Sequence, residues 1–181
     1  MLTRELDHSL FESYSDDIPV ILKRVYAARA VSESQLSMAL PGLLKPSFDQ
    51  LNIALELLEK CILDNQRILI VGDFDADGAT ASAVAIKALR LMGAKHVDFL
   101  VPNRFKHGYG LSPEIVQEAK TDKDPNLIIT VDNGISSNEG AALARSLDID
   151  VIITDHHLPP KVLPDANSII NPNLRGCDFP S

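Results

Sequence analysis

Short aliphatic runs alternate with helical segments over most of the chain. Four runs rich in Ile, Leu and Val, and a shorter fifth, lie at residues 67–71, 96–101, 126–131, 150–154 and 168–170. Segments of helical composition lie between them, at residues 79–92, 113–120 and 137–147. Nearly continuous aliphatic strands that alternate with helices are typical of a parallel sheet covered on both faces. Because crossovers between parallel strands are right-handed, the pattern predicts an α/β fold with a doubly wound, mostly parallel sheet.

The part of the chain before this sheet follows a helical period instead. Apolar residues recur at helical spacing over residues 18–28 and 51–62. Ser32 and Ser47 each begin a four-residue pattern that fits a capping box. We therefore predict a helical N-terminal extension over residues 1–66, followed by the α/β domain.

Composition limits the class of protein. The chain has 181 residues, of which 45% are hydrophobic and 23% charged, as in ordinary globular proteins. No apolar run is long enough to span a bilayer, and the N-terminus lacks the apolar core of a signal peptide. We therefore expect a cytoplasmic protein with no membrane association, in which Cys61 and Cys177 are reduced. The net charge of −8 argues weakly against a nucleic-acid partner, unless part of it belongs to a cation-binding cluster.

Acidic and imidazole side chains collect where the first, third and fourth predicted strands end. These residues are Asp73, Asp75, Asp77, Asp132, Asp155, His156 and His157. Ligands of open α/β sheets bind outside the carboxyl ends of the strands, so the three clusters should meet in one crevice. Closely packed carboxylates repel one another unless a cation lies among them. Carboxylate with imidazole suits Mn²⁺, or Mg²⁺ where oxygen dominates, and a bridging carboxylate can hold two ions for in-line phosphoryl displacement.

Simpler interpretations of each cluster compete with a metal site. A calcium-binding EF-hand loop that began at Asp73 would need Glu at its twelfth position, where this chain has Val84. A haloacid-dehalogenase phosphatase pattern would need Thr where this chain has Ala79. For Asp132 alone, a turn that leads into the next helix is the simpler explanation. The three clusters together nevertheless favour a metal site.

The residues of the fourth strand end invite different roles. Asp155 precedes the histidine pair and can orient an imidazole as a hydrogen-bond acceptor. We expect His156 to bind metal and His157 to contact the scissile phosphate or protonate a leaving group.

In the loop after the second strand, basic residues with Phe105 and Tyr109 suit phosphate contact and base stacking, although a solvated loop with one buried aromatic explains them equally well.

The three segments that contain the strand-end clusters resemble the motifs of a known family. Residues 71–80 read VGDFDADGAT, residues 130–137 read TVDNGISS, and residues 153–159 read ITDHHLP. With them, the chain resembles the DHH phosphoesterase superfamily. Residues 101–111 (VPNRFKHGYGL) and 170–173 (INPN) resemble its RecJ-type exonuclease family rather than its pyrophosphatases.

The resemblance implies an enzyme that degrades single-stranded DNA from 5′ to 3′ in recombinational and mismatch repair. It implies dependence on Mn²⁺ or Mg²⁺, with two ions in the complete enzyme, and a monomer. It also implies single-strand-binding protein and a RecQ-type helicase as partners.

The same resemblance implies roles for particular residues. The implied metal ligands are Asp73, Asp75, Asp77, Asp132 and His156, with Asp132 as the bridging one. The implied catalytic residues are Asp75, Asp77, Asp132, His156 and His157. The implied substrate-binding residues are Arg104 foremost, then His107, Tyr109 and His157.

The chain departs from this family in length. Family members run to several hundred residues and carry a further metal-binding Asp, a second core domain and an oligonucleotide-binding fold. We therefore expect residues 67–181 to be a DHH domain truncated at its C-terminal end, and the chain alone to be inactive or nearly so. Two rival functions stay open. One is a superfamily phosphodiesterase for short oligonucleotides, cyclic dinucleotides or pyrophosphate, and the other is a non-catalytic binding module.

Overall fold

The aliphatic runs form five parallel strands of one sheet within the described part of the chain. The computed structural model describes residues 5–36, 43–103 and 108–179. The strands are β1 (Arg67–Gly72), β2 (His96–Leu100), β3 (Leu127–Val131), β4 (Asp150–Thr154) and β5 (Ser168–Ile170). They lie in the order β2-β1-β3-β4-β5, and every neighbouring pair is parallel.

Helices cover both faces of this sheet. They are α3 (Leu51–Leu63), α4 (Ala76–Leu91), α5 (Pro113–Asp122) and α6 (Asn138–Ser146). Alternate strand residues point to opposite faces, so Leu69 packs in a core with α5 and α6, whereas Ile68 packs in a second core with α3 and α4. The predicted doubly wound, parallel α/β fold is confirmed.

The chain divides into two compact units, Met1–Lys45 and Pro46–Ser181. Among its described residues, the first unit contains α1 (His8–Ser13), α2 (Val20–Ala27) and a 3₁₀ helix at Glu33–Leu36. Helix α3 belongs to the second unit, because its buried side chains pack in the core beneath the sheet. The predicted division after residue 66 stays a prediction of domain organisation.

The capping box predicted at Ser32 is present in part, since the Gln35 N–H donates to the Ser32 carbonyl rather than to its hydroxyl. The Ser32 backbone N–H donates to Gln35 Oε1 over 2.8 Å, at the start of the 3₁₀ helix. The capping box predicted at Ser47 is wrong, because α3 begins only at Leu51 and has no side-chain cap. The side chain of Gln50 instead accepts the N–H of Ile169, the middle residue of β5, over 2.7 Å.

The structure also bears on the expectations about membrane-spanning segments and cysteines. No helix among the described residues is both long and apolar enough to cross a membrane. Cys61 and Cys177 are free thiols, and Cys61, on the buried face of α3, is fully buried in the core. The prediction of unpaired cysteines is confirmed.

Candidate metal centre

The three predicted clusters follow strands that are neighbours in the sheet, β1, β3 and β4. Backbone hydrogen bonds continue the ladder beyond the strands themselves. The Asp73 N–H donates to the Val131 carbonyl over 3.3 Å, and the Asp132 N–H donates to the Thr154 carbonyl over 3.0 Å. The carboxyl ends of these strands therefore hold the clusters side by side.

The first cluster joins β1 to α4 with almost no intervening loop. Asp73 is buried, and its Oδ1 accepts the N–H of Phe74 over 2.8 Å. Asp75 caps α4 by accepting the Gly78 N–H over 3.2 Å, so the helix begins at Ala76. A Cβ on Gly78 would lie 2.6 Å from the Asp73 carbonyl oxygen, so only glycine allows this helix start.

A tight turn after β3 presents Asp132. Its φ of 62° is left-handed, a conformation that Asp and Asn tolerate better than most residues. The Asn133 amide donates to the carbonyls of Val71 and Val131 over 3.1 and 3.0 Å, which ties the turn to β1. The side chain of Asp132 is only 8% exposed, and its Oδ1 lies 2.9 Å from His156 Nε2. The sequence left a simple turn as an alternative to a metal site at Asp132. The structure has this turn, and it places the Asp132 carboxylate beside His156.

Asp155 organises the histidine pair from beneath. Its side chain is fully buried and accepts the backbone N–H groups of His156 and His157 over 2.7 and 3.0 Å. Its other oxygen accepts the Ile135 N–H over 2.8 Å. His157 Nδ1 lies 2.7 Å from Asp155 Oδ1, which leaves Nε2 as the ring nitrogen for other partners. The predicted contact of Asp155 with an imidazole is present, and the ring is that of His157, while the orienting role itself stays a prediction.

The carboxylates of the site have different electrostatic environments. Burial and the negative charges of Asp77 and Asp75 raise the pKa of Asp132, against the opposing effect of His156. The Gly78 amide hydrogen bond lowers the pKa of Asp75. Asp132 therefore carries its charge at an energetic cost that a bound cation would remove.

The donor atoms form two overlapping sets. Asp132, His156 and His157 can each offer a ligand atom within 4.8 Å of the others, and so can Asp73, Asp75 and Asp132. Asp132 is common to both sets, as a bridging ligand would be. Within the described residues, Asp77 belongs to neither set, although its charge acts on Asp132. The role of Asp77 as a ligand stays a prediction.

Of the predicted substrate-binding side chains, Tyr109 and His157 are described and lie together. The Tyr109 hydroxyl donates to the Asp132 carbonyl over 3.3 Å and lies 3.4 Å from either ring nitrogen of His157. Burial foremost, and then the neighbouring carboxylates, raise the pKa of Tyr109 to about 12, so the phenol is neutral at ordinary pH. Arg104 and His107 lie outside the described residues.

The loop after β5 contributes residues that the sequence did not assign to the site. Asn171 donates from Nδ2 to the His157 carbonyl over 2.9 Å, and Asn173 donates to the His156 carbonyl. The only sign of them in the sequence is the Asn-Pro-Asn segment directly after a predicted strand. This segment resembles the family motif, but the sequence does not show which groups its side chains contact.

Comparison with known proteins gives consistent matches. Residues 67–181 match the family model described as "DHH family, N-terminal domain". The chain is 50% identical over 167 residues to the single-stranded-DNA-specific exonuclease RecJ of Salmonella typhimurium, and equally to that of Escherichia coli. Each alignment covers 91% of this chain but 29% of the relative, so the chain spans under a third of these relatives' length.

Solved structures match as well. A crystal structure of exonuclease RecJ bound to manganese superposes with a TM-score of 0.68 at 33% identity, over 76% of this chain and 34% of that one. A structure of RecJ in complex with Mn²⁺ from Thermus thermophilus superposes with a TM-score of 0.64 at 26% identity, over 94% of this chain and 23% of that one.

Proposed function

The chain belongs to the DHH family, and from this premise we propose that it forms the metal-binding part of a single-stranded-DNA-specific exonuclease. The observation that carries the proposal is the position of Asp132, which belongs to both donor sets where β1, β3 and β4 end. Relatives that are 50% identical to the chain bear the name of such an exonuclease.

The donor chemistry fits divalent metal. Carboxylates with one or two imidazoles suit Mn²⁺, and the oxygen-rich set around Asp73 also suits Mg²⁺. We assign Asp73, Asp75, Asp77, Asp132 and His156 as ligands of two ions, with Asp132 shared between them. When bound, such ions stabilise the attacking and leaving oxygens of a phosphodiester and favour ionisation of a water molecule. The relatives whose structures contain Mn²⁺ support this assignment.

The remaining residues of the site serve the substrate. Asp155 holds Nδ1 of His157, so Nε2 of that ring is available to a phosphate oxygen or a leaving oxygen. The neutral hydroxyl of Tyr109 beside it does not repel a phosphate, and it would donate to one by turning its proton away from the Asp132 carbonyl. Arg104 and His107, assigned by resemblance alone, would add positive charge and donors for the DNA backbone.

Several finer proposals follow from the family. We propose 5′-to-3′ polarity, a role in recombination and mismatch repair, a cytoplasmic location and a monomeric enzyme. We also propose contacts with single-strand-binding protein and a RecQ-type helicase, which pull-down with each purified partner would test. Because the chain covers 29% of its relatives' length, we expect the 181 residues by themselves to be inactive or nearly so.

A nuclease assay tests the proposed function. The gene product that carries this sequence is incubated with Mn²⁺ and end-labelled DNA in single-stranded and duplex form, and separately with dinucleotides. We expect stepwise release of mononucleotides from the 5′ end of single strands, and loss of this activity in Asp132→Ala. Asp124→Ala is the matched control, because Asp124 pairs with Arg67 and Lys120 at the amino end of the sheet, away from the carboxyl ends of the strands. Equal digestion of duplex, preference for dinucleotides or full activity of Asp132→Ala would each refute the proposal.

A further inference from the structure

His156 and His157 lie in an irregular segment. Residues 155–167, between β4 and β5, form neither a helix nor a strand. A loop of this length has no ladder of its own to fix the backbone from which the two imidazoles project. Because metal ligands must be held in one geometry, other contacts have to fix this backbone.

The N–H groups of the dipeptide are held by one residue. Asp155 Oδ1 accepts from both His156 N and His157 N, over 2.7 and 3.0 Å. Asp155 is itself anchored, because its own N–H donates to the Ile170 carbonyl of β5 over 3.1 Å. This side of the dipeptide is therefore tied to the edge of the sheet.

The carbonyl groups of the same dipeptide are held by two asparagines. Asn171 Nδ2 donates to the His157 carbonyl over 2.9 Å, and Asn173 Nδ2 donates to the His156 carbonyl. Asn171 is 1% exposed and follows directly after β5, so its side chain has little freedom. The backbone of both histidines is thus fixed on its donor side and on its acceptor side.

A purely local turn would explain only part of this arrangement. The Asn173 N–H donates to Asn171 Oδ1 over 2.7 Å, which closes a common asparagine turn. That turn needs one oxygen and leaves both Nδ2 groups uncommitted. Their donation to the carbonyls of two consecutive histidines, 14 and 17 residues away along the chain, goes beyond what closing a turn requires.

We propose that Asn171 and Asn173 are positioning residues, which hold His156 for metal binding and His157 for the substrate. The inference rests on the proposed function, because it needs the site to bind metal. Both residues would act through the backbone of the histidines, whose carbonyls they contact. Loss of a group that orients a metal ligand typically weakens metal affinity by about 10-fold to 100-fold.

Asn173→Ala is the cleanest test of this role. The substitution removes the donor to His156 but keeps the backbone N–H that closes the turn on Asn171. Mn²⁺ affinity is measured on the 181-residue chain by isothermal titration, with folding checked by circular dichroism. We expect about 10-fold weaker binding for Asn173→Ala and for Asn171→Ala. Asn138→Ala is the matched control, because Asn138 donates its Nδ2 to the Val162 carbonyl in the same loop, away from the histidines.

A second readout separates positioning from general stability. Imidazole ¹H–¹⁵N spectra of the metal-free chain report the environment of each ring, and the His156 resonances should shift in Asn173→Ala but not in Asn138→Ala. If Asn171→Ala fails to fold, Asn173→Ala decides the matter. Affinity and His156 resonances that match the Asn138→Ala control would overturn the inference. A wild-type chain that binds no Mn²⁺, or binds it as tightly with Asp132→Ala, would instead refute the proposed function.

Discussion

Carboxylates at the two ends of the sheet have opposite neighbours. At the amino end, around the start of β1 and β2, Asp124 lies 2.6 Å from both Arg67 and Lys120, and Asp98 lies 2.6 Å from Lys123. At the carboxyl end, the clustered carboxylates lie beside one another. Within residues 5–36, 43–103 and 108–179, no lysine or arginine pairs with Asp73, Asp75, Asp77 or Asp132.

The pKa of Asp132 shifts in the opposite direction to the pKa values of carboxylates at the amino end of the sheet. Hydrogen bonds from Lys123 and Lys120 lower the pKa of Asp98 and of Asp124, respectively. Burial and neighbouring carboxylates raise the pKa of Asp132. The protein's own cations balance the amino end, whereas the carboxylates at the carboxyl end have no lysine or arginine partner among the described residues, as expected of a cation-binding cluster. The net charge of −8 therefore does not argue against a polyanionic substrate, because bound metal would reverse the field at this end.

The largest effect on stability should come from Asp155, the carboxyl-end carboxylate that has a full set of donors. Asparagine cannot accept at both positions, so Asp155→Asn would leave the Ile135 N–H or the histidine N–H groups facing an amide NH₂. We expect the free energy of unfolding at neutral pH to fall by about 2–4 kcal/mol. Urea denaturation measures it, with Asp165→Asn, an exposed partner of Arg145, as the control. If Asp155→Asn lowered the free energy of unfolding no more than Asp165→Asn does, the proposed difference between the buried and the exposed carboxylate would be wrong.

The pH dependence sharpens this expectation. Burial tends to raise the pKa of Asp155, but hydrogen bonds from His157 and Ile135 hold it below 3.8. Its stabilisation is then present at neutral pH and is lost as the pH falls below about 4. The difference in stability between wild type and Asp155→Asn should therefore narrow as urea denaturation is repeated from about pH 6 to about pH 3.

Histidines at the two ends provide the next comparison. His156 lies 2.9 Å from Asp132 in the donor cluster, whereas His96 starts β2 at the amino end and is exposed. We expect His156→Ala to weaken Mn²⁺ affinity by about 100-fold or more, since loss of a residue that merely orients a ligand already costs about 10-fold to 100-fold. His96→Ala should leave the affinity unchanged. Equal affinities of the two variants by isothermal titration would remove His156 from the site.

The smallest change in the free energy of unfolding should come from removing an ion pair at the amino end of the sheet. Asp98 and Lys123 are each about half exposed, so solvent and salt screen their attraction. We expect Asp98→Asn to lower the free energy of unfolding by less than about 1 kcal/mol, and less still in high salt. Mn²⁺ affinity should not change. A larger, salt-independent loss would mean that amino-end pairs stabilise the fold more than their exposure suggests.

The aliphatic runs predict the bounds of all five strands to within one residue, because buried parallel strands need continuous apolar side chains. Helical composition predicts that α4 starts at Ala79, three residues after its observed start at Ala76. The sequence pattern places the acidic segment between the strand and the helix, whereas Asp75 caps the helix and Asp77 lies in its first turn. Asp75 caps the helix and also belongs to a donor set that could hold a metal, and the sequence alone does not separate the two uses.

Long-range side-chain contacts set the limit of prediction. Gln50 completed a local capping pattern, yet its side chain binds the backbone of Ile169, which is 119 residues away. Asn171 and Asn173 hold carbonyls that become their neighbours only when β5 pairs with β4. Such contacts follow from the fold rather than from local periodicity, so the clusters at the strand ends were predictable and their supports were not.

The most direct test compares wild type with Asp132→Asn under two conditions. Asparagine keeps the shape of the side chain and removes its charge, which burial, Asp75 and Asp77 disfavour. In chelator, the variant should melt at the same temperature as wild type or higher. With Mn²⁺ at about 100 times its Kd, wild type should gain about 2.7 kcal/mol while the variant gains little, so the order reverses. A variant that is less stable in chelator, or that gains as much from Mn²⁺, would contradict a carboxyl end built for an external cation.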